Sequence, residues 1–181
     1  MKYIIASDIH GSSYYCKQLI EAFREEKADK LLLLGDILYH GPRNDLPKDY
    51  APKEVIAMLN PLADRIVCVR GNCEAEVDQM VLDFSVMADY ALLPLENCTV
   101  FMTHGHLYHK DHLPSMQKGD ILLHGHTHIP ACEEFETYTY LNPGSVSIPK
   151  EQSPHSYMVF DGHTFLWKNL ETGEIYNQFS V

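Results

Sequence analysis

Five short apolar runs punctuate the chain, at Tyr3–Ala6, Leu31–Leu34, Ile66–Val69, Val100–Met102 and Ile121–Leu123. They show little alternation between apolar and polar residues, which is the pattern of strands buried on both faces. Between the first two, Leu19, Ile20 and Phe23 recur at helical spacing behind Ser12 and Ser13, whose hydroxyls can cap a helix; the spacing predicts a helix from about Ser13 to Glu26. A second helix is predicted after Pro52, where Val55, Ile56 and Leu59 form an apolar face and proline suits the first turn. The chain therefore opens β-α-β-α-β.

After Asn72 the pattern changes to strand-like pieces at Tyr90–Leu95, Thr99–Thr103, Glu133–Leu141, Tyr157–Asp161, Thr164–Asn169 and Ile175–Val181. The acidic stretch Glu133-Glu134-Phe135-Glu136 reads as a solvated strand edge, and Asn142-Pro143-Gly144-Ser145 as a turn. The two halves together predict an α/β domain whose mixed sheets pack face to face, with helices outside. A length of 181 residues fits one domain, 1–181, with room for a substantial core.

Charge narrows the class. A formal net charge of −11 argues against long DNA or RNA as a partner, because such proteins present a basic face to the phosphates. It equally opposes a phosphate substrate unless cations are recruited to the protein. The cysteines at 16, 68, 73, 98 and 132 contain no CxxC pair and fit reduced thiols. No apolar window approaches a membrane-spanning length. A cytoplasmic enzyme without a membrane partner is the expectation.

Each of the five apolar runs ends within a few residues in a potential metal ligand beside a glycine: Asp8-Ile9-His10-Gly11, Gly35-Asp36, Gly71-Asn72, His104-Gly105 and Gly125-His126-Thr127-His128. Ligands in α/β sheets gather beyond the carboxyl ends of the strands, where glycines let the backbone turn. Within Asp8-x-His10 and His126-x-His128 an extended backbone would send both side chains to the same side, so each pair can address one centre. Three oxygen donors and four imidazoles exceed the needs of one transition ion, whereas two ions sharing the Asp36 carboxylate, at roughly 3.5–4 Å separation, fit the inventory. Nitrogen and oxygen donors without thiolate suit Mn²⁺, Fe²⁺, Co²⁺, Ni²⁺ or Zn²⁺, with Mn²⁺ favoured.

These blocks carry a resemblance. SDIHG at 7–11, LGDILYHGPRN at 34–44, RGNCE at 70–74, THGH at 103–106, HGHTH at 124–128 and NPGSVSIPK at 142–150 follow one another as in the calcineurin-like metallophosphoesterases, and the chain resembles the small bacterial YfcE-type phosphodiesterases in particular. The resemblance covers nearly the whole chain. It implies a four-layer α/β/β/α sandwich, with one metal held by Asp8, His10, Asp36 and His128 and the other by Asp36, Asn72, His104 and His126. It further implies hydrolysis of small phosphodiesters by a hydroxide that bridges the two metals, and puts the 142–145 turn near the rim of the site.

One departure from the larger relatives stands out: they have Gly-Asn-His before an acidic residue, and here that histidine position is Cys73. A thiol with an ordinary pKa of about 8.5 is a poor substitute for imidazolium. The chain is therefore expected to prefer good leaving groups, or to use His106 as proton donor in place of Cys73. Arg43 is the expected phosphate contact, by its planar guanidinium. His40, His109, His112, His155 and His163 read as structural or surface residues, and His124 as a supporting residue turned away from His126. The alternative to catalysis is a non-catalytic protein-interaction scaffold, since the retromer subunit Vps29 resembles this fold; the complete ligand set favours the enzyme. A homodimer or homotetramer is the expected assembly.

Overall fold

A computed structural model describes residues 1–181. Strands β1 (Tyr3–Ala6), β2 (Lys30–Leu33) and β3 (Ile66–Cys68) run parallel, connected through helices α1 (Ser13–Glu25) and α2 (Pro52–Leu59). A single turn, α3 (Glu76–Gln79), leads into a second sheet made of β4 (Tyr90–Pro94), β5 (Thr99–Thr103), β6 (Asp120–Leu123), β7 (Pro130–Glu134) and β8 (Tyr138–Pro143), in the order β4-β5-β6-β8-β7. Strands β9 (Ser156–Phe160), β10 (Thr164–Asn169) and β11 (Ile175–Ser180) return to the first sheet, whose order is β11-β10-β9-β1-β2-β3. In the second sheet β5, β6 and β8 are parallel and the edge strands antiparallel.

The period of two along each strand sorts its side chains between layers. Ile4, Ala6, Leu31 and Leu33 turn outward and pack with Cys16, Leu19 and Phe23 of α1. Ile5, Leu32 and Leu34 turn inward against Val100, Met102 and Leu123, closing a core between the sheets. This is why the five runs lack alternation: both faces are covered. On the far face of the second sheet, Phe101, Leu122, Tyr138 and Tyr140 are covered by Tyr108 and Met116. The outer layer there is irregular chain over 104–119, so the helices of the sandwich are concentrated beside the first sheet.

Helix α1 begins where Ser12 Oγ accepts the Tyr15 N–H at 3.3 Å, the predicted cap. The predicted strand over Glu133–Leu141 is instead a hairpin, β7 and β8, with Phe135 N–H donating to the Tyr138 carbonyl at 2.9 Å. Its turn has no glycine, proline or asparagine, and the stacking of Phe135 on Tyr138 at 4.7 Å steadies it, so apolar alternation ran through the reversal without a signal. The β7 strand is a sheet edge, as the acidic stretch implied. Strand β8 runs on to Pro143, and Asn142 Oδ1 accepts the Gly144 N–H at 2.8 Å as the chain turns.

At the foot of α1 the Glu26 carboxylate meets both Lys2, beside β1, and Lys168 of β10. Burial opposes ionisation of Glu26, but the two ammonium groups prevail and hold its pKa below the usual range. Replacement by glutamine, Glu26→Gln, is expected to lower the urea-unfolding free energy by about 1 kcal/mol at pH 7. A depressed carboxylate pKa stabilises above the unfolded value of about 4.3, and that stability is lost as pH falls through the folded value. Wild type and variant should therefore converge in strongly acid solution; a gap that persists there would assign the effect to packing.

Candidate metal centre

The candidate donors follow β1, β2, β3, β5 and β6, all at the carboxyl ends of parallel strands. Face-to-face packing of the sheets then brings the two sets of strand ends to one crevice. The backbone there differs from the extended form expected from the spacing. Asp8, His10, Asp36, His126 and His128 have φ of 60°, 48°, 55°, 67° and 63°, in the left-handed region. Each such residue costs about 1–3 kcal/mol, and the surrounding hydrogen bonds must offset it. Asp8 N–H donates to the Gly35 carbonyl at 3.1 Å and His10 N–H to the Asp36 carbonyl at 2.8 Å, while Ser145 and Ser147 hydroxyls both donate to the Asp8 carbonyl at 3.0 Å. The left-handed turns also separate His126 from His128, which face different partners rather than one centre.

Donor atoms converge in two groups. His10 Nε2 lies 3.5 Å from Asp8 Oδ1, 3.3 Å from His128 Nε2 and 3.6 Å from Asp36 Oδ2. His104 Nε2 lies 3.4 Å from Asp36 Oδ2, 3.0 Å from Asn72 Oδ1 and 3.1 Å from His126 Nδ1. Asp36 Oδ2 is common to both groups. Donors about 2.1 Å from a cation stand roughly 3–4 Å apart, so the spacings suit one cation in each group.

The tautomers follow from the hydrogen bonds. Nδ1 of His10, His104 and His128 meets the carbonyls of Tyr39, Leu34 and Ile148 at 2.7, 2.6 and 2.6 Å. A carbonyl can only accept, so each Nδ1 carries its proton and Nε2 is the nitrogen offered to the crevice. Asp8 Oδ1 is buried without any hydrogen-bond donor, an orphan acceptor that a cation would satisfy. The donor set therefore fits a pair of divalent ions.

Electrostatics point the same way. Burial disfavours the Asp8 carboxylate, yet the imidazoles of His10 and His128 hold its pKa well below the ordinary range. Burial likewise opposes charge on His104, but the neighbouring Asp36 and Asp8 raise it to about 9. Without cations the crevice thus balances its carboxylates with protons.

Two glycines are dictated by this crowding. A Cβ on Gly71 would stand 2.1 Å from Asp36 Oδ1, and one on Gly125 would stand 1.8 Å from Ser7 Oγ.

The remaining predicted residues are distributed around the centre. Cys73 Sγ lies within 4.8 Å of ligand atoms of His10 and Asp36, and Cys73 N–H donates to Asp36 Oδ1 at 2.9 Å. Burial, then Asp36, pushes its thiol pKa upward. Arg43 lines a cavity of about 430 Å³ with Asp36, Asn72, Cys73 and His126. His106 stands beyond His104, ring centroids 5.4 Å apart, in a different cavity. His124 is buried and stacked on Tyr140, and His155 stacks on Tyr15, away from the donors.

Two residues beside the donors were given no role by the sequence reading. Glu74 accepts the N–H groups of Asp36, Ile37 and Gly71 at 2.9, 2.7 and 2.5 Å, bracing the shared aspartate from behind. The acidic position after Asn72 was its only signal. Lys150 lines the Arg43 cavity and its N–H donates to the His128 carbonyl at 3.1 Å. It closes the NPGSVSIPK block at 142–150, which was its only signal.

The calcineurin-like phosphoesterase superfamily domain matches residues 1–164. Phosphodiesterase YfcE of Escherichia coli strain K12 is 47% identical over 161 residues, covering 89% of this chain and 88% of its own. The solved structure of E. coli YfcE, a phosphoesterase, superposes with a TM-score of 0.97 at 43% identity over 100% of both chains. Vps29 of Entamoeba histolytica complexed with zinc has a TM-score of 0.60 at 16% identity, covering 99% of each chain, a likeness of fold alone.

Because His104 holds a proton up to about pH 9 in the metal-free crevice, a cation must displace it. Affinity for Mn²⁺ is expected to rise as pH rises from 6 toward 9, with proton release visible as a buffer-dependent heat in calorimetry. Affinity flat across that range would contradict the protonated crevice.

Proposed function

Because this chain belongs to the calcineurin-like phosphoesterase superfamily, we propose that it hydrolyses small phosphodiesters with two divalent cations caged by its own oxygen and imidazole donors. The observation that carries this reading is Asp36 Oδ2, which faces His10 at 3.6 Å on one side and His104 at 3.4 Å on the other. Asp8, His10, Asp36 and His128 hold one ion; Asp36, Asn72, His104 and His126 hold the other. Bound there, the ions, Mn²⁺ by preference, supply hydroxide at neutral pH and neutralise charge on the phosphoryl oxygens.

The chain's own residues do the rest. Glu74 fixes the Asp36 backbone, and the Cys73 N–H holds Oδ1 so that Oδ2 stays directed at both imidazoles. Arg43 and Lys150 bring positive charge to the cavity beside the donors in a protein of net charge −11, giving an anionic ester a local reason to bind. Arg43 grips two phosphate oxygens with its planar fork, and Lys150 serves as a point charge. Cys73 and His106 flank the centre from separate cavities and are the two groups available to protonate the departing oxygen. A thiol pushed upward in pKa releases its proton reluctantly, which favours esters whose alcohols leave without help. The five unpaired thiols support work in a reducing cytoplasm, and no helix is long and apolar enough to cross a membrane. Open edges at β3, β11, β4 and β7 offer surfaces for a homodimer or homotetramer.

Chelated protein is expected to be inert toward bis-p-nitrophenyl phosphate and to recover with Mn²⁺, and Asp36→Asn to lower kcat/KM by about a thousandfold. Turnover that survives chelation, or Asp36→Asn, would sink the two-cation reading. For Arg43→Ala a fall in kcat/KM of roughly 10- to 100-fold is expected; a value within error of wild type removes the phosphate contact. A basic limb of the pH–rate profile unmoved by both Cys73→Ala and His106→Ala would remove those two as donors.

A further inference from the structure

Between α1 and the turn that joins β10 to β11 lies a cavity of about 440 Å³ that shares no residue with the metal centre. That volume falls within the ~300–1,000 Å³ typical of sites that enclose a small organic molecule. Glu21 and Glu25 line it from α1 and Glu171 from the turn, and every other lining residue is uncharged.

Three carboxylates thus border one space with no cation among them. Glu26, the next residue along α1, is engaged by Lys2 and Lys168, whereas Glu21, Glu25 and Glu171 have no ion pair. Glu21 is shared with a neighbouring groove containing Lys17 and Arg24, neither of which pairs with it. Glu21 and Glu25 stand one helical turn apart, a spacing at which like charges repel. A cation in the cavity would relieve that repulsion.

The second feature is Tyr157 of β9. Its ring packs in the core beneath α1, and the residue is 3% exposed. Its hydroxyl makes no hydrogen bond to the protein, yet it is not among the polar atoms sealed from water, so the phenol ends in the cavity that Tyr157 lines. Burial, then the carboxylates of Glu26 and Glu25, push its pKa upward. The phenol therefore keeps its proton and offers oxygen lone pairs beside unpaired negative charge, which suits an N–H donor that is itself positive.

Geometry selects the kind of cation. The oxygens of the three carboxylates do not gather within 4.8 Å of one another, as the donors of Asp8, His10 and His128 do, so the cavity is not a cage for a single metal ion. Separated anions on a concave wall suit several positive centres joined by an apolar chain. Leu170 and the rings of Tyr14 and Tyr157 supply surface for that chain. Lys48, seated 3.4 Å above the Tyr14 ring, already shows an alkylammonium accepted there.

We infer that this cavity binds a linear aliphatic polyamine, with its ammonium groups against Glu25, Glu171 and the Tyr157 hydroxyl and its methylene segments along Leu170 and the tyrosine rings.

Calorimetric titration of the Mn²⁺-loaded protein with spermidine, a triamine, tests the site apart from turnover. Tyr157→Phe removes a single hydroxyl and should weaken binding about tenfold. Glu25→Gln combined with Glu171→Gln should also weaken it about tenfold. Glu134→Gln combined with Glu136→Gln makes the same change of net charge at the β7–β8 hairpin and should leave affinity within about twofold of wild type. Nα-acetyl-lysine methylamide, which has one ammonium, should bind at least ~10-fold more weakly than spermidine. Thermal midpoints report whether each variant folds; should Tyr157→Phe not fold, the two double variants, confined to exposed carboxylates, decide the matter. No saturable heat with wild type would overturn the site, and so would undiminished affinity in folded Tyr157→Phe. Equal losses in the two double variants would assign the binding to diffuse attraction and overturn it as well. A lysine derivative bound as tightly as spermidine would overturn the polyamine.

Discussion

Burying the carboxylates of Asp8 and Asp36 side by side, at the ends of neighbouring parallel strands, is the constraint to which the rest of the molecule is fitted. Two such charges withdrawn from water repel one another and are tolerated only with positive partners at contact distance. The imidazoles of His10 and His104 provide that partnership, and these two rings and that of His128 are each steadied by a backbone carbonyl behind them. Protons or cations can occupy the space between them, and the competition between the two links metal loading to pH.

The left-handed residues are the conformational cost of this arrangement. Strands in adjacent positions end almost level, and the chain must rise over the sheet edge at once if donors from both sheets are to meet. Left-handed residues turn it within a step or two, where a longer loop would have placed the same side chains on flexible backbone. The rigidity extends outward. Trp167, fully buried between the sheets, donates its indole N–H to the Asn142 carbonyl at 2.7 Å, and the Asn142 amide donates to the Gly125 carbonyl at 2.9 Å, one residue before His126. The core between the sheets is in this way connected to the donors it positions.

Much of this was legible from the order of residues, and for identifiable reasons. The strands announce themselves as apolar runs because both faces are covered, and the donors because each run ends in a ligand next to glycine. The β7–β8 reversal was not legible, since Phe135 keeps the alternation going and its stacking on Tyr138 replaces the usual turn residues. Left-handed dihedrals at Asp8, His10, Asp36, His126 and His128 were also hidden: a spacing of two implies convergence only on extended backbone, and nothing in residue type reports φ. Glu74 and Lys150 act from behind or across the crevice, through contacts that only tertiary structure creates.

Charge distribution explains how so acidic a chain can serve an anionic ester. Arg43 and Lys150 stand in one cavity with the donors, while Lys110, in the cavity of His106, is neutralised by Glu133. Attraction is thus confined to the side where phosphate oxygens would be held. The two sides of the crevice thus contrast in charge, and His126 and Thr127 are the residues they share.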